Sequence, residues 1–479
     1  MFPEENLLAT AEEGYGYFVT RPGFKLKGGR YTIVRKLGRG EYSSVYLVYD
    51  EEEKEYMAAK VLTVTATKAN DDGILNELEC LQIIADRANQ YEMNLRLFDH
   101  FFQGGPHGVH LCLLRFASTL ADPTGTGFFT TGHVGDLRDL QRPQYLAKNL
   151  KETSFGIREK SPTVCSPKRQ APPQKAIITT VFGTDAHRLC TSSPTGTLPF
   201  YIVGKILSDV ITGVDEFHGA GIIHADIKAD NIWIQALFNM HIAPIIAAEP
   251  PKIAGSLKIN EEEYPVLLSQ PLESSFTWDT PLDMADLIDA VLGDLGSALL
   301  DDQPKPSSEI GAYALRAPES VIGAYEKFGT PLDIWAIGCL TYELLTGKCL
   351  FNPKNGDGYT KDECHIALML AMTGEQFPMS LIENTDKKDI YFDESADPLT
   401  TGNFRKVGLI PTPKETIEEL LRMHASLTAM HLRKAASFIR TCISLNPDDR
   451  PTSRQLIAQE FMEYANCPAA DPENYPKDL

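Results

Sequence analysis

No window of this 479-residue chain approaches the roughly 18 consecutive apolar residues that a membrane-spanning helix needs, so no span is expected. The opening stretch MFPEENLLATAEE is acidic where a secretory leader is basic and then apolar, which points to a protein kept inside the cell, in cytoplasm, nucleus or both. Its nine cysteines stand singly, at 80, 112, 165, 190, 339, 349, 364, 442 and 467, with no CxxC pair and no matching histidine spacing. That argues against a disulfide framework or a zinc site and for reduced thiols. Basic residues are in the minority, and the net charge is -20. A field of that sign repels nucleic acid and attracts cationic partners.

The charge is unevenly placed. Residues 199–479 hold 42 acidic against 22 basic residues, whereas residues 118–198 carry a net excess of four basic ones. A basic peptide partner fits the acidic half, although acidic residues also serve plain solubility. Hydrophobic residues make up 43% of the chain, enough for a sizeable buried core.

Organisation follows from periodicity. YTIVRKLG, SSVYLVYD and YMAAKVLTV within residues 31–63 read as a strand meander broken at Gly38 and Gly40 and at EEEKE. Residues 72–88 carry Leu75, Leu78, Leu81 and Ile84 at helical spacing, and strands are expected at 95–99 and 109–116. Residues 31–117 therefore form a first lobe of sheet plus helix, preceded by an extension over 1–30. Residues 118–198 lose periodicity and read as an insertion, largely disordered. Helical spacing returns in a second lobe over 199–465, interrupted by a second insertion at about 236–288, and 466–479 reads as a frayed tail.

The chemistry lies in five patterns met in order. GRGEYSSV at 38–45 fits G-x-G-x-x-G-x-V with Ser43 at the third glycine. Gly38 and Gly40 let backbone amides approach phosphate closely, and with Arg39, Ser43 and Val45 they are the candidate nucleotide-binding set. Lys60, in MAAK on a following strand, is placed to meet the α and β phosphates, with Glu77 on the next helix to orient it. HADIKADN at 224–231 then fits the loop H-x-D-x-K-x-x-N. In it Asp226 is the candidate base for a substrate hydroxyl, Lys228 neutralises charge on the transferred group, and Asn231 is a candidate magnesium ligand. DLG at 294–296 supplies Asp294 as the second metal ligand, and APE follows at 317–319. Singly, a glycine-rich hairpin is usually only a turn, and a lone Lys or Glu a surface charge. Their joint order points to phosphoryl transfer from ATP with Mg2+. Glu319 and Arg450 are expected to form a buried pair, Asp333 to hold backbone near the catalytic loop, and His224 to hold backbone carbonyls rather than act chemically.

With these residues in hand, the chain resembles the eukaryotic protein kinases over about residues 31–465. Within them it is similar to the SR-protein kinase group and its fungal members, through GYGYFVTRPGFKLKGGRYTIVRKLGRGEYSSVYLVYD, HADIK, DLGSA and ALRAPES followed by DIWAIGCLTYELLTGKCLF. The resemblance implies an α+β, bilobal kinase fold with ATP in the cleft. It also implies a non-specific serine/threonine protein kinase, monomeric, that phosphorylates serines of basic Arg/Ser-rich splicing factors and bears on mRNA splicing. Ala225, where many kinases carry an arginine, and the short stretch from Asp294 to Glu319 imply activity without loop phosphorylation. The competing readings are a LAMMER-type dual-specificity kinase and a pseudokinase scaffold.

Overall fold

The computed structural model describes residues 4–87, 96–118, 179–180, 182–235, 242–272, 274, 276–303, 310–383, 385, 387–393, 403–463 and 465. Residues 1–118 and 179–479 fall in one compact unit. The expected tail at 466–479 and the body of the first insertion, 119–178, lie outside the described residues.

The N-terminal half is an antiparallel sheet: β1 (Lys25–Leu26), β2 (Tyr31–Arg39), β3 (Ser43–Asp50), β4 (Glu55–Leu62), then, after helices α1 (Val64–Asp71) and α2 (Glu77–Arg87), β5 (Arg96–Gly105) and β6 (Gly108–Ser118). Its order is β1-β2-β3-β4-β6-β5, with β7 (Thr179–Thr180) paired to β6. Alternation along the strands sends Tyr31, Ile33, Tyr46, Val48, Met57, Ala59 and Leu114 into one core. The expected helix over 72–88 begins only at Glu77. A separate helix, α1, starts where Thr63 accepts a hydrogen bond from the Ala66 N–H at 3.1 Å, an N-cap that the apolar run VLTV conceals.

The expectation of a structureless insertion over 118–198 fails for its C-terminal part. β8 (Phe182–Asp185) pairs with β10 (Ile232–Gln235), and α3 (Ala186–Ser192) buries Leu189 and Cys190 in the main core. Elements of four and seven residues show no periodicity, and the strand partner lies some fifty positions on, so local sequence carries no trace of them. The extension over 1–30 is likewise part of the folded body, because β1 pairs with β2 and Leu7, Tyr17, Phe18 and Val19 are buried.

The C-terminal half is built on α4 (Phe200–Gly219), which is apolar around most of its surface and correspondingly buried. β9 (Ile222–Ile223) leads into the catalytic loop and β10. The second insertion then forms α5 (Ile242–Ala248) and the hairpin β11 (Ile253–Ile259) and β12 (Glu262–Leu267), and α6 (Leu282–Ala285) precedes β13 (Ala290–Leu292) and β14 (Leu299–Leu300). This insertion packs on the N-terminal half: Leu267 joins the sheet core, and Leu272 meets Leu47. After α7 (Pro318–Ile322) comes α8 (Pro331–Thr346), with Pro at its first turn and Gly347 in the left-handed region at its end. Nearly every residue of α8 is buried, with Trp335 stacked on Phe351 at 5.4 Å. Further helices, α9 (Lys361–Thr373) and the pair Ile417–His424 and Ala429–Cys442 among them, complete this half.

Candidate active site

Strand register places the first charged group. Lys60 sits on β4 opposite Val45 of β3 and Leu113 of β6, in the middle of the sheet, with its side chain 12% exposed. Its ammonium donates to both Glu77 oxygens, at 2.8 and 2.9 Å, and to Asp294 Oδ1 at 2.7 Å. Three residues separated by up to 234 positions thus meet at one nitrogen. The Glu77 side chain is 2% exposed, and the Lys60 ammonium compensates its buried charge.

The catalytic loop is held from below. Asp333, at the start of α8 and fully buried, accepts the backbone N–H groups of His224 at 2.9 Å and Ala225 at 2.8 Å, as well as His218 Nε2–H at 2.8 Å. Burial pushes the Asp333 carboxyl up, but the hydrogen bond and charge of His218, with the backbone N–H of Ala225, outweigh it and hold the carboxyl below its usual range. His224, also buried, donates from Nε2 to the Gly293 carbonyl at 2.8 Å and accepts the Asp226 N–H at Nδ1, 3.3 Å away. That bridge ties the catalytic loop to the DLG turn. Ala225 adopts φ +63°, a strained backbone for alanine that these bonds over-determine.

Asp226 is thereby presented at the surface of the loop, its side chain 13% exposed. Lys228 Nζ donates to Asp226 Oδ2 at 2.5 Å, Asn231 Nδ2 to the same oxygen at 3.1 Å, and the Ala312 N–H to Oδ1 at 3.1 Å. The last contact brings the segment before α7 against the loop. Gly311, at φ +83°, is its point of close approach, since a Cβ there would lie 2.9 Å from the Ala225 carbonyl. Asp226, Gly311, Ala312 and Arg316 line a small concavity with Ala225, Ile310 and Leu315.

Asn231 and Asp294 are neighbours by strand pairing. Ile232 faces Leu292 across β10 and β13, and the Gly293 N–H donates to Asn231 O at 2.8 Å. Asn231 gives its amide N–H groups to Asp226, which leaves its carbonyl oxygen for a cation, and Asp294 offers a carboxylate that is 40% exposed at φ +61°. Two hard oxygen donors at the end of adjacent strands fit magnesium. Among the described residues no group of three or more His, Cys, Asp or Glu forms a metal cluster, so substrate phosphates and water would have to complete the shell.

The glycine-rich hairpin joins β2 to β3, with Gly38 opposite Val45, Arg39 opposite Ser44 and the Gly40 N–H bonded to Ser43 O at 2.8 Å. Glu319 and Arg450 meet as expected, with Nη1 to Oε1 at 2.7 Å and Nη2 to Oε2 at 2.8 Å and neither side chain exposed. His218 escaped the sequence reading. Its signal, a histidine in the last turn of an apolar helix six residues before His224, gives no hint that its partner lies 115 positions away.

The fold and this constellation define a protein kinase. Residues 286–462 match the protein kinase domain family, and a solved kinase-domain structure superposes at TM-score 0.54 and 14% identity over 96% of this chain and all of its own. The chain is a protein kinase, and the relatives it matches carry the names of serine/threonine-protein kinases and SRSF protein kinases. It is 24% identical over 458 residues to the serine/threonine-protein kinase SRPK of Physarum polycephalum, covering 93% of this chain and 89% of that one. A shorter match, 39% over 174 residues, covers 36% of this chain and 25% of the probable serine/threonine-protein kinase sky1 of Dictyostelium discoideum. SRSF protein kinase 3 of Mus musculus is 22% identical, covering 87% of this chain and 85% of its own length.

Proposed function

We propose that the chain transfers the γ-phosphate of ATP to serines of Arg/Ser-rich, splicing-factor-like proteins inside the cell, acting as a monomer. The observation that carries this reading is the joint placement of Asp226 with Lys228 and Asn231 on one side and of Lys60 with Glu77 and Asp294 on the other. Asp226 accepts the proton of the attacking serine hydroxyl, and Lys228, 2.5 Å from it, stabilises charge on the transferred group. Lys60 exchanges its Asp294 contact for the α and β phosphates while Glu77 keeps it oriented. Gly38, Arg39, Gly40, Ser43 and Val45 cover the phosphates through backbone amides. Asn231 and Asp294 would hold magnesium, which would supply neutralisation of phosphate charge.

Substrate class is supported by charge. The acidic excess of residues 199–479, with Asp230 exposed on the catalytic loop itself, suits guanidinium-rich peptides. The names of the relatives point the same way. No helix among the described residues is long and apolar enough to cross a membrane, and the seven described cysteines are free thiols, which suits a reducing compartment. Direct contact of Asp226 with the Ala312 N–H, without an arginine at 225, supports activity that needs no phosphorylation of the segment after DLG.

The test is a radiolabelled ATP assay with magnesium on an Arg-Ser repeat peptide and a Lys-Ser control, alongside Asp226→Asn. Labelling of the Arg-Ser peptide alone, lost in the variant, is expected. Labelling on tyrosine as well would favour a dual-specificity enzyme. Silence with both peptides and with a generic basic protein would favour a binding scaffold.

A further inference from the structure

The glycine-rich hairpin is gripped from outside by two segments that the catalytic constellation does not use. Lys36 and Ser44 flank it on β2 and β3, both buried, and both reach Glu5 of the N-terminal segment. Glu5, its side chain only 1% exposed, accepts Ser44 Oγ–H at Oε1, 2.8 Å away, and pairs its other oxygen with the Lys36 ammonium. Glu4 takes the same ammonium at 2.5 Å and also accepts the N–H and hydroxyl of Ser269, at 2.7 and 3.0 Å, from the second insertion. The Gln270 N–H then donates to the Lys36 carbonyl at 3.0 Å.

The hairpin tip is held separately. Tyr17 donates its hydroxyl to the Glu41 carbonyl, while Tyr15 stacks on Tyr42 at 6.1 Å and on Tyr17 at 5.8 Å. Beneath these contacts Leu7, Tyr17 and Val19 pack against Ile259, Leu257, Tyr264 and Val266 of the β11–β12 hairpin. That hairpin belongs to the chain segment between β10, which follows Asn231, and β13, which precedes Asp294. The N-terminal segment is therefore clamped between the hairpin at one face and the insertion at the other.

We propose that Glu5 and Tyr17 are positioning residues for ATP: they hold the root and the tip of the glycine-rich hairpin where its amides meet phosphate, with the insertion as their backing. This rests on the reading above, in which that hairpin binds ATP. A glycine-rich turn has more backbone freedom than any other, and each outside contact removes conformations that do not bind. A buried carboxylate shared by a lysine and a serine on opposite strands is a costly way merely to attach a terminus.

The experiment uses the full chain with Glu5→Gln, which keeps the shape and removes the charge, and Tyr17→Phe, which removes only the hydroxyl. Steady-state kinetics are run against ATP and against the Arg-Ser peptide, together with equilibrium binding of Mg-ATP and a thermal melt. The expected result is a rise in KM and in the Mg-ATP dissociation constant of about fivefold for each variant, with peptide KM unchanged. Tyr17→Phe should reproduce the effect with an unaltered melt, which separates positioning from folding. An unchanged ATP KM, or ATP and peptide KM rising together, would overturn the proposal. Wild-type protein that melts cooperatively but binds no Mg-ATP would instead refute the underlying assignment of the hairpin, and the proposal with it.

Discussion

Glu319→Gln tests the buried brace between α7 and the loop that carries Arg450 most directly. Glu319 and Arg450 are both fully buried and bonded through two parallel contacts. Arg450 also donates Nη1 to the Pro331 carbonyl at 2.9 Å and Nε to the Ser444 carbonyl at 2.9 Å, and its guanidinium lies 5.1 Å from the Trp335 ring. Removing the carboxylate charge leaves a buried cation with only carbonyl dipoles and an aromatic face, which costs about 3–5 kcal/mol. At about 2.1 cal/mol/K per residue, a cooperative unit of about 350 residues loses about 5 °C of melting temperature for about 4 kcal/mol. Calorimetry and urea unfolding measure both quantities. Arg450→Met should do comparable harm, whereas the double variant Glu319→Leu with Arg450→Met should be more stable than either single one, because no charge remains stranded. Single variants that each cost under about 1 kcal/mol would mean the pair behaves as a surface contact and would refute the reasoning.

Two further outcomes follow from the same geometry. His365 is buried between Tyr313 and Phe351, and burial first, then the charges of Arg316 and Lys361, push its imidazole down to about 3. The unfolded ring takes up a proton as pH falls through about 6.5 and the folded one does not until about 3, so this stability is present above about pH 6.5 and is lost on acidification. Between pH 7 and pH 5 the loss from this group is about 2 kcal/mol; His365→Leu should flatten that dependence in urea titrations at the two pH values, and an equal loss in the variant would exclude His365 as its source. Gly311→Ala forces a side chain into a positive-φ site 2.9 Å from the Ala225 carbonyl. It should destabilise by about 1–2 kcal/mol and lower kcat about tenfold by displacing the loop that presents Asp226, and full kcat would show that the segment tolerates the shift.

The candidate site was legible because its chemistry demands particular residue types in a fixed chain order. Lys60, Glu77, Asp226, Lys228, Asn231 and Asp294 could each be picked from short motifs, and the pairing of Glu319 with Arg450 from complementary charge in two recognisable motifs. The two-lobe division was legible from the change of hydrophobic period from two to 3.6. Elements too short to show a period were not: β8 and α3 were read as unstructured, although Asp185 caps α3 through the Arg188 N–H at 2.7 Å. A cap of that kind is one residue of signal in a basic, aperiodic stretch.

By itself, then, the sequence determined which groups could do chemistry and, by their order, suggested one phosphoryl-transfer set. Only the tertiary structure decided where the non-catalytic segments go. Glu4 and Glu5 look like ordinary surface acids until Lys36, Ser44 and Ser269 close around them, the last from 265 positions away. Ile259 looks like one apolar residue among several in the second insertion until Leu7, Tyr17 and Val19 pack on it. The physical reason is separation: periodicity and motifs report contacts made within a turn or a strand, whereas these contacts are favourable only after the sheet, α4 and α8 have already fixed the distances between distant parts of the chain.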